Sequence, residues 1–156
     1  MIKYMNLIGI KARKASEYKV TTEVKNKVLN DYAKLIKNEK KFIINQNSKD
    51  INYARKKGLK ENLIKRLHLN ENKLDGIINS ILKIAKLRDP IDSTLEKWKR
   101  PNGLNIKRVS IPIGVIGVIY ESRPNVTSDV ASLCFKSGNV VILKGGSEAI
   151  NSNKAL

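Results

Sequence analysis

Two short polar loops carry the residue types best suited to chemistry, and each follows an apolar run of strand character. The first is Glu121-Ser122-Arg123-Pro124-Asn125, and the second is Lys144-Gly145-Gly146-Ser147-Glu148. In open α/β sheets ligands sit beyond the carboxyl ends of the strands, which is where both loops fall. The second loop has the parts of an anion or ribose site. Lys144 stands at the strand end, Gly145 and Gly146 admit a close backbone approach, and Ser147 can cap a helix whose N-terminal amides face a ligand. The lysine precedes the glycines, so this is not a Walker loop, and the Gly-x-Gly-x-x-Gly fingerprint is absent. An ordinary strand-to-helix turn has the same composition, and the loop alone leaves both readings open. In the first loop Arg123 offers a planar fork suited to phosphate or carboxylate, and Asn125 an amide able to donate to a developing oxyanion. A surface arginine and a helix-capping asparagine are the plainer alternatives.

Other reactive side chains are few. Cys134 is the one cysteine, flanked by Leu133 and Phe135 with Lys136 the nearest base, and reads as inert packing inside a helix. His68, between Leu67 and Leu69, has no cysteine or acidic cluster beside it and reads as structural. No metal site is expected.

The elements that must position the loops come in two kinds. Residues 1–92 read as a helical segment. Met5, Ile8, Ala12 and Ala15 repeat at helical spacing, and Thr21 or Thr22 can cap a second helix with the stripe Val24, Val28, Tyr32, Leu35 and Ile36. Phe42, Ile43 and Ile44 lead to Asn47-Ser48, a candidate cap for a short helix that Gly58 ends, and Leu63, Ile64 and Leu67 make another short piece. From Asn70 to about Leu87 a longer helix buries Leu74, Ile77, Ile78, Ile81, Leu82 and Ala85 until Pro90 stops it. Residues 93–111 then read as a β-hairpin around Pro101-Asn102-Gly103. Residues 112–156 read as strand, helix, strand and the start of another helix, with the two strands parallel and buried. The fold class is α/β: a helical segment followed by the start of a Rossmann-like parallel-sheet domain, incomplete at Leu156.

Bulk composition bounds the rest. The 156 residues suffice for one modest core, no apolar run is long enough for a membrane span, and the N-terminus lacks the look of a secretory signal. A single cysteine suits a reducing compartment, so the expected location is the cytoplasm. The net charge of +17 invites a nucleic-acid reading. Its basic residues are mostly lysine, scattered among Asn and Ile without interleaved aromatics, so a solvated basic surface is preferred over a nucleic-acid groove. Such a field also attracts phosphorylated ligands.

The loops lie inside a longer stretch with a family likeness. Trp98-Lys99-Arg100-Pro101-Asn102-Gly103-Leu104, Tyr120-Glu121-Ser122-Arg123-Pro124-Asn125-Val126-Thr127 and Leu143-Lys144-Gly145-Gly146 resemble the gamma-glutamyl phosphate reductases of the aldehyde dehydrogenase superfamily. In the helical segment Asp50, Ala54, Gly58, Arg66-Leu67 and Asp89-Pro90 fall in the same order. The resemblance implies reduction of gamma-glutamyl phosphate by NADPH to glutamate 5-semialdehyde with release of phosphate, a step toward proline. It implies that Lys144 meets the adenosine ribose or 2′-phosphate of NADPH/NADP, with Gly145, Gly146, Ser147 and Glu148 beside it. Glu121 and Ser122 would border the cofactor cleft, Asn125 would stabilise the oxyanion, and Arg123 would meet the substrate's phosphate or carboxylate. The family's nucleophilic cysteine and catalytic domain come later than Leu156, and its hairpin serves homo-oligomer formation. The expectation is therefore a chain inactive by itself that exposes apolar strand edges. Two rivals are a non-catalytic remnant that acts through a partner chain, and a basic nucleic-acid-binding module.

Overall fold

A computed structural model describes residues 2–156. Five helices come first: α1 (Ile2–Ser16), α2 (Thr22–Asn38), α3 (Lys40–Lys56), α4 (Glu61–Leu67) and α5 (Glu71–Lys86). Then follow the strands β1 (Thr94–Lys99), β2 (Asn105–Val109) and β3 (Val115–Ile119), helix α6 (Pro124–Lys136), strand β4 (Val140–Lys144), a 3-10 turn (Ser147–Ala149) and α7 (Ile150–Ala155).

The main core lies where α2, α5 and α6 meet. Leu29, Ala33, Ile36, Ile43, Leu74, Ile77, Ile81 and Ile84 belong to one buried cluster. Helix α5 buries the predicted face except that Leu82 is only half-buried, and Ile84 joins it. Its start is set by Asn70, whose Oδ1 accepts the Lys73 N–H at 2.9 Å, one of the donors that a helix N-terminus leaves unpaired. A second cluster of Ile51, Ala54, Ile64 and Leu67 seals α3 against α4 and reaches Ala149.

Several local expectations change. Helix α2 starts at the predicted Thr21 cap, but its buried face is Lys25, Leu29, Ala33 and Ile36. Val24, Val28 and Leu35 stay exposed. Two adjacent apolar stripes run along this helix, and the one with Ala33 and Lys25 wins because α5 approaches it and Asp89 waits for the lysine. Lys25 Nζ donates to Asp89 Oδ2 at 2.8 Å, and Thr22 Oγ1 donates to the same oxygen at 2.9 Å. In α1 Ala12 is buried and Ile8 half-buried, while Met5 and Ala15 face outward. Asn47-Ser48 caps nothing: α3 runs through it unbroken, and Asn47 is buried mid-helix. Gly58, at φ +69, does follow the end of α3, where a left-handed residue is needed to turn the chain.

The hairpin forms around the predicted turn. Gly103, at φ +86, donates its N–H to Arg100 O at 2.9 Å, and β1 and β2 pair antiparallel with Trp98 opposite Ile106. Its strand residues are exposed, Ile106 alone being half-covered. Strands β3 and β4 are parallel, from Val115 opposite Val140 to Ile119 opposite Lys144. The expectation of strands buried on both faces holds for neither in full. In β3 Val115, Gly117 and Ile119 are exposed, Ile119 at 85%. Both strands are edges of this two-stranded sheet; α1 and α6 pack on β4, whereas α1 alone covers β3 in part.

Candidate functional site

The loops after β3 and β4 do meet, and buried polar side chains make them meet. Helix α7, which carries the second loop's far end, has no cap of its own sequence. Asp50, from the middle of α3, supplies one: Oδ1 accepts Asn151 N–H at 3.2 Å and Asn151 Nδ2–H at 2.7 Å, and Oδ2 accepts Ser152 N–H at 2.7 Å and Ser152 Oγ–H at 2.6 Å. Its carboxylate thus satisfies orphan donors in the first turn of a helix, beginning with Asn151, 101 residues away. Asn47, one turn earlier on α3, donates to Leu67 O and Ser152 Oγ, both at 2.9 Å, and accepts Leu69 N–H at 2.8 Å. The helical segment therefore fixes the position of α7, and α7 fixes the second loop.

Beneath the loops a hydroxyl chain links strand, helix and helix. Thr127 Oγ1 donates to Asn153 Oδ1 at 3.1 Å, so its short 2.6 Å contact with Tyr120 is one in which the tyrosine hydroxyl donates. Gly145 lies over this chain: a Cβ there would sit 2.2 Å from Asn153 Nδ2 and 3.2 Å from Tyr120 Oη. Within the chain itself these glycines are required by packing, because neighbouring side chains fill the space a Cβ would take. Gly146 is the same case, with the Glu148 carboxylate 2.1 Å from the Cβ position.

Glu148 joins the two loops directly. Its Oε1 accepts Ser122 N–H at 2.8 Å and Ser122 Oγ–H at 3.0 Å. Burial alone would raise its pKa, but the bonds from its own N–H and from Ser122, together with the Lys144 charge, outweigh burial and hold the carboxyl below its ordinary range. Ser122 is buried and sits in left-handed backbone at φ +41, a strained conformation for a residue with a Cβ. Lys144, Ser147, Glu121 and Arg123 are exposed. Ser147 caps nothing, since no side-chain bond closes the turn it opens. Asn125 does not precede α6 but lies in its first turn after Pro124, exposed, with Nδ2 donating to Asp129 Oδ2 at 3.2 Å. So the structure gathers Ser122, Lys144, Gly145, Gly146 and Glu148 at the two strand ends, and turns Asn125 toward α5, beside Ser80 and Asp129.

Sequence reasoning missed the roles of Tyr120, Thr127, Asn153, Asn47 and Asp50; apart from the Tyr120–Thr127 bond, their contacts join positions far apart in the chain. Asp50 carried one usable signal, an acidic residue amid Ile51 and Ala54 that has to be paired if buried. Cys134 is buried as expected, and burial raises its thiol pKa. His68 is exposed, its carbonyl accepting Lys73 Nζ–H at 2.6 Å. No helix among the described residues is long and apolar enough to cross a membrane.

These features define an α/β chain with two joined loops at the carboxyl ends of two adjacent parallel strands. Comparison with known proteins makes the assignment particular. The gamma-glutamyl phosphate reductase of Halothermothrix orenii is 49% identical over 154 residues, covering 96% of this chain and 37% of that protein. That of Aliarcobacter butzleri is 53% identical over 132 residues, covering 85% of this chain and 32% of that protein. The crystal structure of gamma-glutamyl phosphate reductase from Thermotoga maritima, 44% identical, superposes with a TM-score of 0.89 over 93% of this chain and 36% of that one. The corresponding Saccharomyces cerevisiae structure, 34% identical, also gives 0.89, over 94% of this chain and 38% of that one. No protein-family model matches the chain. In sequence and fold the chain resembles the gamma-glutamyl phosphate reductases over nearly its whole length, and it spans a little over a third of the length of relatives such as the first and last of these.

Proposed function

We propose that this chain supplies the cofactor side of an NADPH-dependent reductase that converts gamma-glutamyl phosphate to glutamate 5-semialdehyde and phosphate, in the manner of the aldehyde dehydrogenase superfamily. The observation that carries this reading is the pairing of the loops after β3 and β4 through Ser122 and Glu148, in a chain similar over nearly its whole length to enzymes named for that substrate. The donor set fits a phosphorylated ribose: an exposed ammonium at Lys144, an exposed hydroxyl at Ser147, and the backbone of Gly145 and Gly146. When bound, NADPH supplies hydride. Lys144 holds the adenosine ribose or its 2′-phosphate, while Glu121 and Ser122 form the wall on the first-loop side. Arg123, exposed at the same strand end, is the group offered to the substrate's phosphate or carboxylate. Asn125 is the proposed oxyanion donor, which requires its amide to leave Asp129 when substrate binds.

The nucleophile belongs to residues other than these. Cys134 has no route to the loops from its buried place in α6, and its raised pKa keeps it a thiol. The test is the purified chain mixed with NADPH and gamma-glutamyl phosphate. Binding of NADPH without its oxidation is the expected result, and oxidation dependent on the acyl phosphate would contradict the assignment of the nucleophile. The exposed apolar residues Ile111, Ile113, Val115 and Ile119 favour a second reading, in which the chain acts by associating with another polypeptide.

A further inference from the structure

Glu148 is held from two sides. One carboxylate oxygen takes both donors of Ser122, at 2.8 and 3.0 Å, and the side chain folds back over the bare Cα of Gly146, where any Cβ would displace it. Ser122 reaches it from strained backbone at φ +41, and such conformations persist where the surroundings over-determine them. Lys144, at the end of β4, is exposed and has no acidic partner within ion-pair distance among the described residues, the four ion pairs lying elsewhere. Glu148, four residues on, is tied to the other loop instead. At a dinucleotide's ribose these two charges act oppositely. A carboxylate free to turn outward accepts from a 2′-hydroxyl and repels a 2′-phosphate, whereas an unpaired cation attracts the phosphate.

Building on the cofactor reading above, we propose that Ser122 sets the preference of this site for a 2′-phosphorylated dinucleotide by holding Glu148 against the first loop, leaving Lys144 without an ion-pair partner toward the ribose. Ser122 is a positioning residue: it acts through Glu148 without touching the ligand's phosphate. Gly146 is the second part of the device, since it makes the space into which the carboxylate folds.

The chain is titrated calorimetrically with NADPH and, separately, with NADH. Wild type binds NADPH more tightly. Ser122→Ala removes the hydroxyl donor and lowers the NADPH:NADH affinity ratio about fivefold, the size of one net hydrogen bond. Ser122→Gly, which suits the positive φ and also lacks the hydroxyl, gives the same result should the alanine variant fold poorly. A merely structural role for Ser122 weakens both nucleotides alike, and an unchanged ratio overturns the proposal. Glu148→Gln keeps the shape without the charge, so in that background Ser122→Ala changes the ratio by less than about twofold. A fivefold fall there also overturns it. Wild type binding neither nucleotide overturns the cofactor reading itself, and the specificity falls with it; both binding with a ratio indifferent to Ser122 leaves the cofactor reading standing alone.

Discussion

The helical half and the strand half of the molecule treat apolar side chains in opposite ways. In α5 Leu74 and Ile81 have no exposed surface, and the polar groups among the helices, Asn47 and Asp50, are fully hydrogen-bonded. Along β3 and the segment before it, Ile113 is 83% exposed and Ile119 85%. The amino-acid types are alike in the two places, so composition does not decide burial here. What decides it is whether a second element lies across the face: α2 and α6 cover α5, and nothing among the described residues covers the outer face of β3.

That contrast is open to direct attack. Ile81→Ala removes contacts from a sealed core and is expected to cost about 3–4 kcal/mol in urea unfolding. Ile119→Thr changes an uncovered residue and stays within about 0.5 kcal/mol. Comparable losses from both would mean that β3 is covered in solution by something else, a second copy included. Asp50→Ala comes next, at about 2–3 kcal/mol, because four donors at the start of α7 lose a charged acceptor. Hydrogen exchange localises that loss: amides of α7 and the second loop lose protection, while those of α5 keep theirs.

A smaller effect, about 2 kcal/mol, is expected for Asp89→Asn, which weakens the grip on buried Lys25. Burial alone would raise the Asp89 pKa, but the bonds from Lys25, the Ile91 N–H and Thr22 outweigh it and the net shift is downward. A lowered folded-state pKa means that the stabilisation is complete above the ordinary carboxylate range and is lost as pH falls through the depressed value. Wild type should therefore lose stability steeply in acid, and Asp89→Asn less so. Parallel acid profiles for the two would remove Asp89 from the account.

The helices were legible because periodicity, caps and stops agree: Asn70, the α5 stripe and Pro90 mark one element from three directions. The hairpin was legible from Pro101-Asn102-Gly103 and the alternation around it. The errors have a common physical origin. Helix α2 carries two adjacent stripes, and only the position of α5 and Asp89 selects between them. Asn47 looks like a cap residue, and Asp50 has no evident role, until partners some hundred residues away absorb them. At the candidate site the sequence marked the loops but did not show that their glycines also make room for Asn153 and Glu148. Asn125, a possible cap by sequence, is the second residue of α6 because Pro124 takes the first helical position, which suits a residue without an N–H.

The most direct test of the central claim is a titration of NADPH against the chain and its Lys144→Ala variant, side by side at one ionic strength. Saturable binding to wild type is expected, weakened about tenfold by loss of a charge-assisted contact in a variant that folds normally. No binding to either protein, or equal binding to both, would contradict the placement of the cofactor at the carboxyl ends of β3 and β4.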